Sequence, residues 1–164
     1  MEAPRVGLDE AAEGRGPGLV TRYRIGIDPG VATGYACWDR TDKRLVTVEA
    51  MRIDEAMAEV LSTHRAGVLH GVTFEDARLR KWYGAADARQ ARSGAGIREG
   101  VGSVKRDSGI WSDFLTAHGI PFQAVKPAAG STKWDAATFA RLTGWTAQTN
   151  NHGRDAALLI WKAS

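Results

Sequence analysis

Three extended segments in a row, followed by alternating helix and strand, are the feature that most limits what this chain can fold into. Tyr23 to Asp28 reads as a strand with Ile25 and Ile27 on one face, stopped by Pro29-Gly30. Gly34 to Trp38 resumes extended structure, Thr41-Asp42-Lys43 supplies a turn, and Leu45 to Met51 alternates as a third strand. Ile53 to His64 places Ile53, Met57, Val60 and Leu61 near helical spacing, with Asp54 and Glu55 where a helix N-terminus favours anions. Val68 to Glu75 is the fourth strand, Val101 to His118 a helix ending at Gly119, and Ile120 to Val125 a short fifth strand. Asp135 can cap a helix to Leu142, and a last helix is expected from about Asn151 to Lys162. An antiparallel meander followed by alternating helix and strand predicts an α/β layer fold, a mixed sheet with helices on its faces.

At 164 residues the chain suits one domain, 21–164, preceded by a loose tail over residues 1–20. That tail carries Glu2, Asp9, Glu10 and Glu13 among Gly and Pro, and has neither a signal core nor the acid-poor character of a transit peptide. The lone Cys37 excludes an internal disulfide and a cysteine zinc cluster, so an intracellular, cytoplasmic setting is expected. No apolar run reaches the roughly 20 residues of a membrane span, so no membrane partner is expected.

The net charge of +3 identifies no partner, but its distribution is uneven. From Asp76 to Arg106 eight cations (Arg78, Arg80, Lys81, Arg89, Arg92, Arg98, Lys105, Arg106) face three anions (Asp76, Asp87, Glu99). The same stretch holds Trp82, Tyr83 and five glycines, a mixture that suits a sugar-phosphate backbone and equally a solvated loop. Trp82 or Tyr83 could wedge against an unstacked base, or simply pack. Ile110, Trp111, Phe114 and Leu115 suit either the core or a two-fold interface.

Three acids stand beside apolar sequence: Asp28 and Glu75 at strand ends, and Asp155 in the first turn of the last helix. If the first and fourth strands are neighbours and that helix crosses their ends, the carboxylates converge and need a positive partner. A divalent cation is one, and a carboxylate cluster near a basic loop suggests metal-assisted phosphodiester chemistry. His152, three residues before Asp155, would join the same face and could ligate a metal or move a proton. Each residue also has a plain structural role: turn cap, strand terminus, helix-dipole charge, N-cap neighbour.

Ile25-Gly26-Ile27-Asp28-Pro29-Gly30 followed by Thr33-Gly34-Tyr35-Ala36 resembles the first-strand motif of RuvC-type Holliday junction resolvases, in the ribonuclease H-like superfamily. His152-Gly153-Arg154-Asp155-Ala156-Ala157 resembles the family's last-helix motif, and Val72-Thr73-Phe74-Glu75 its second acidic strand. Many members carry aspartate where His152 stands. The resemblance implies a ribonuclease H-like five-stranded sheet of order 3-2-1-4-5, flanked by helices, in a homodimer that nicks two strands of a four-way junction. It implies Asp28, Glu75 and Asp155 as metal-binding acids with His152 as the fourth site residue, and two Mg2+ ions about 4 Å apart, replaceable by Mn2+. Lys133 resembles a family lysine near the scissile phosphate. Arg78, Arg80, Lys81, Arg89, Arg92, Lys105 and Arg106 form the expected DNA contact surface, while Gly30 and Gly34 either admit a phosphate closely or are ordinary turn glycines. A broader branched-DNA or flap nuclease, or a module that binds branched DNA without cutting it, uses the same fold. A partner helicase is compatible with this reading, and the sequence does not identify one.

Overall fold

A computed structural model describes residues 21–80, 95–127 and 134–162. Lys81, Trp82, Tyr83, Arg89, Arg92 and Lys133 lie outside them, as do the tail over residues 1–20 and the side chain of Arg98.

Strands β1 (Tyr23–Asp28), β2 (Thr33–Asp39) and β3 (Arg44–Met51) form the expected meander. Helix α1 (Ile53–Arg65) follows; Glu55 accepts the Arg52 amide at 3.0 Å, satisfying one amide at the helix N-terminus. Strand β4 (Leu69–Glu75) then enters parallel to β1, and β5 (Phe122–Val125) parallel to β4, giving the order β3-β2-β1-β4-β5. The ribonuclease H-like α/β sheet is thus the one observed. Among the described residues between β4 and β5 are a 3-10 turn (Ala77–Leu79) and α2 (Ala95–Ala117); α3 (Ala136–Thr143) and α4 (Asn151–Leu158) close the described chain.

Three boundaries differ from the sequence reading by more than one residue. Helix α2 starts at Ala95 instead of Val101, because propagation through a 23-residue helix outweighs a cost of about 1 kcal/mol per glycine. Strand β5 starts at Phe122, since Pro121 has no amide to give the ladder and uses only its carbonyl, which accepts Val72 N at 2.9 Å. Helix α4 ends at Leu158, where Leu159 and Ile160 bond three residues back and Lys162 takes φ 60°, so the chain runs on as turn, not helix, to Lys162.

The sheet is covered on both faces. Ile25, Ile27, Tyr35, Cys37, Val72 and Phe74 pack with α1 and α2 through Val60, Trp111 and Leu115. Ala36, Trp38, Leu45 and Val48 pack with α3 and α4 through Phe139, Ala156, Ala157 and Ile160. Trp111 and Leu115 are therefore core, Phe114 edges that core, and Ile110 is 43% exposed. No described helix is long and apolar enough to cross a membrane.

Candidate active site

Strand alternation places the two strand-end acids together. Ile27 and Phe74 are register partners on parallel neighbours, both fully buried against α1 and α2. The next residues, Asp28 and Glu75, therefore turn to the opposite face, at the C-terminal ends of strands spaced by about 4.8 Å. Helix α4 lies on that face.

What lets α4 come so close is a set of missing side chains. Gly34 stands opposite Asp28, and a Cβ there would overlap the His152 carbonyl and sit 3.0 Å from Asp28 Cβ. A Cβ on Gly26 would overlap the Ala156 carbonyl, and one on Gly153 would lie 3.0 Å from Glu49 N and O. Bare backbone thus meets bare backbone where α4 crosses β1, β2 and β3. The space at Gly34 holds the helix and not a phosphate, which corrects its expected role; at Gly30 an added Cβ would meet nothing nearer than Ala32 O at 3.6 Å.

Docked in this way, α4 brings His152 Nδ1 to 2.9 Å from Asp28 Oδ2. The His152 side chain is 51% exposed and that of Asp28 17%, so the pair stands at the mouth of the site. A carboxylate oxygen only accepts, so Nδ1 carries the proton of this bond, and in the neutral ring Nε2 keeps a lone pair. Asp155, half-buried, follows one turn later on the same helix. Among the described residues no three His, Cys, Asp or Glu side chains are already gathered as a cage for an ion. The donor types nevertheless fit magnesium or manganese: carboxylate oxygens on adjacent strand ends, another on α4, and one imidazole.

Sequence reasoning missed two supports. Arg154, buried between His152 and Asp155, donates to Trp134 O at 3.0 Å, Thr149 Oγ1 at 2.9 Å, Thr149 O at 3.3 Å and the Asn151 side-chain oxygen. It ties α4 to the chain entering α3 and to the α3–α4 connection. Asn150 caps the helix, its side chain accepting Gly153 N at 2.8 Å. The second support is Asp76, buried directly after Glu75. It accepts Arg78 N at 2.9 Å and the Arg78 guanidinium at 2.8 to 3.1 Å, which holds the Asp76 carboxyl below its usual range. The D-x-R spacing was the available signal, passed over because Arg78 read as a phosphate contact.

Of the other expected DNA contacts, Arg78 is 42% exposed while bound to Asp76, and Arg80 is exposed. Lys105 is half-buried on α2, and Arg106 is exposed with Nε 3.8 Å from Asp107.

No family model matches the chain, and no curated protein matches it. Among solved structures it is similar to Thermus thermophilus RuvC in complex with Holliday junction substrate, at TM-score 0.56 and 20% identity, covering 84% of this chain and 89% of that one. A second structure of Thermus thermophilus RuvC matches at TM-score 0.45 and 17% identity, over 84% and 90% of the two chains. The fold of this chain is thus the RuvC fold.

Proposed function

We propose that this protein is a divalent-metal-dependent, structure-selective DNA endonuclease that resolves four-way junctions by paired symmetric nicks as a homodimer. The observation that carries the reading is the Asp28–His152 contact, at 2.9 Å, beside Glu75 on adjoining strand ends. Two carboxylates on adjoining strand ends with an imidazole across from them are a donor set suited to a divalent cation. The solved relative of the same fold was captured with a Holliday junction substrate, which supports branched DNA as the ligand.

Asp28, Glu75 and Asp155 would hold Mg2+ or Mn2+, with His152 as the fourth site residue. Bound there, the metal lowers the pKa of water and offsets charge on the phosphate. Asp28 fixes the His152 tautomer through Nδ1, so Nε2 faces its task as a lone pair, either as ligand or as acceptor of a proton from the attacking water. Attack on phosphorus opposite the 3′ oxygen leaves 5′-phosphate and 3′-hydroxyl ends. Phosphate contacts come from Arg80, Lys81, Arg89, Arg92, Lys105, Arg106 and Lys133, with Arg78 contributing from its place on Asp76.

The test is cleavage of an immobile four-way junction, a flap and a linear duplex with Mg2+, Mn2+ or chelator, for wild type and Asp28→Asn. Symmetric paired nicks confined to the junction, at least about 100-fold slower in the variant with junction binding retained, are expected. Cutting of every branched substrate would instead mark a broader nuclease, and binding with no cutting under any metal would remove the catalytic reading.

A further inference from the structure

At the opposite end of β1 the charge is reversed. Arg24 stands opposite Trp38 of β2, and Arg40, bonded through its amide to Arg22 O at 2.9 Å, continues β2 two residues further. On the other side of β1 the register with β4 slips between Tyr23 and Arg24, whose partners are Leu69 and Gly71, so His70 is the extra, unpaired residue of a bulge. Three cationic or potentially cationic side chains, Arg24, Arg40 and His70, thus come from three adjacent strands.

They are half-buried and share little. His70 Nδ1 lies 3.1 Å from Thr21 Oγ1, and Arg40 Nη1 donates to Thr21 O at 3.0 Å. The Nε atoms of Arg24 and Arg40 are buried with no hydrogen-bond partner. Among the described residues no carboxylate pairs with either guanidinium: Asp39 is engaged by Arg22 at 2.6 Å, and Asp42 by Arg22 at 2.8 Å and Arg44 at 3.7 Å. Burial, with the nearby Arg40 and Arg24, holds the His70 ring below its ordinary pKa, so the cluster repels a further proton and lacks an anion.

We propose that Arg24, Arg40 and His70 form a second phosphate site, which takes a backbone phosphate of the DNA away from the reacting centre. The inference rests on the reading of this chain as a DNA-binding protein. Two guanidiniums present fork-shaped donors that match phosphate oxygens, and their buried Nε atoms have no other partner to give up when the side chains turn toward one. Arg24 lies four residues from Asp28 on the same face of β1, with α4 seated on Gly26 between them, so DNA backbone that reaches both places runs around the helix. Backbone held at both places gains a phosphate contact beyond those of the basic segment.

The test measures binding of a four-way junction in chelator across a salt series, for wild type, Arg24→Gln, Arg40→Gln, the double variant, and Arg52→Gln as a charge control outside the cluster. In parallel, inorganic phosphate is titrated against the His70 ring resonances at constant ionic strength. One lost phosphate contact makes the slope of log K against log salt shallower by about one unit in the double variant, with Arg52→Gln unchanged. Phosphate shifts the His70 resonances in wild type and not in the double variant, while Arg24→Lys with Arg40→Lys recovers most of the slope. If the double variant fails to fold, the two single variants carry the same comparison. An unchanged slope overturns the assignment even where phosphate moves His70, because the cluster then holds a free anion; a His70 response surviving in the double variant overturns it too. A wild type that binds with the expected slopes but cuts no junction removes the resolvase reading and leaves this site standing.

Discussion

Gly34→Ala is the sharpest test of how this site is assembled, because it pits two explanations of one glycine against each other. If Gly34 serves phosphate approach, alanine weakens substrate binding and leaves the free protein alone. The structure gives the space to α4: a Cβ there overlaps the His152 carbonyl, backbone that has no rotamer to escape into. To restore ordinary contact the helix must lift by more than about 1 Å, an overpacking strain of at least about 1–3 kcal/mol. For a domain of this size that lowers Tm by roughly 2–4 °C per kcal/mol, or at least about 2–12 °C in all. The lift also opens the 2.9 Å Asp28–His152 contact, and a 1 Å misplacement at a reacting centre costs about 100-fold in rate. Gly30→Ala is the control, since its Cβ meets only Ala32 O at 3.6 Å and should move Tm little. The assay is thermal unfolding without DNA, followed by single-turnover junction cleavage and binding in chelator. A Gly34→Ala protein with wild-type Tm and weakened junction binding would refute the helix-seating argument and restore the phosphate one.

Arg154→Gln leaves Thr149, Trp134 and Asn151 acceptors short of their donor and should cost about 1–3 kcal/mol, read as lower Tm together with slower cleavage at saturating substrate. Asp76→Asn removes charge-assisted bonds of about 1.5–3 kcal/mol, at the low end because Arg78 is partly exposed. Since Arg78 depresses the native Asp76 pKa, that stability is present above the unfolded value of about 4 and is lost as pH falls through the native one. The wild type should therefore unfold at higher temperature than Asp76→Asn at pH 7, and the gap should shrink below about pH 4; a gap constant with pH counts against the pair. Replacing Arg89 and Arg92 with Ala should flatten the salt dependence of junction binding, and an unaltered slope would take both residues out of the contact surface.

Strands were legible wherever one face alternates against a core: β1 ended at Asp28 as read, and β4 at Glu75. Those ends are set by the same apolar pairs, Ile25 with Ile27 and Val72 with Phe74, that bury the α1 and α2 face. The strand order followed from the resemblance alone, and the helices on both faces from the meander followed by alternating helix and strand. The start of α2 was not legible, because its glycines carry the local signal of a breaker while helix propagation is a property of the whole 23 residues. Arg154 was not legible either. Nothing local distinguishes a buried arginine from a solvated one, and its acceptors at Trp134 and Thr149 become neighbours only after α3 and α4 have packed.

The glycines show why the site and the fold are one problem. Gly26 and Gly34 leave β1 and β2 without side chains on the face where a core would ordinarily want bulk, a loss of buried apolar area that weakens a strand. Pressing α4 backbone onto that gap recovers contact through Ala156, Ala157 and Ile160. It also fixes the depth of the helix to within the tolerance of a Cβ, and so fixes His152 against Asp28 with no contribution from a ligand. A helix seated by side-chain interdigitation could relax along its groove when one residue changes; one seated backbone to backbone has no such freedom. On that ground larger residues at position 34 should lower Tm and cleavage together in order of bulk, Ala before Ser before Val, while Gly30→Ala should leave Tm unchanged. A flat response across the position 34 series would mean that the helix finds its depth from Arg154 and the α3 packing alone.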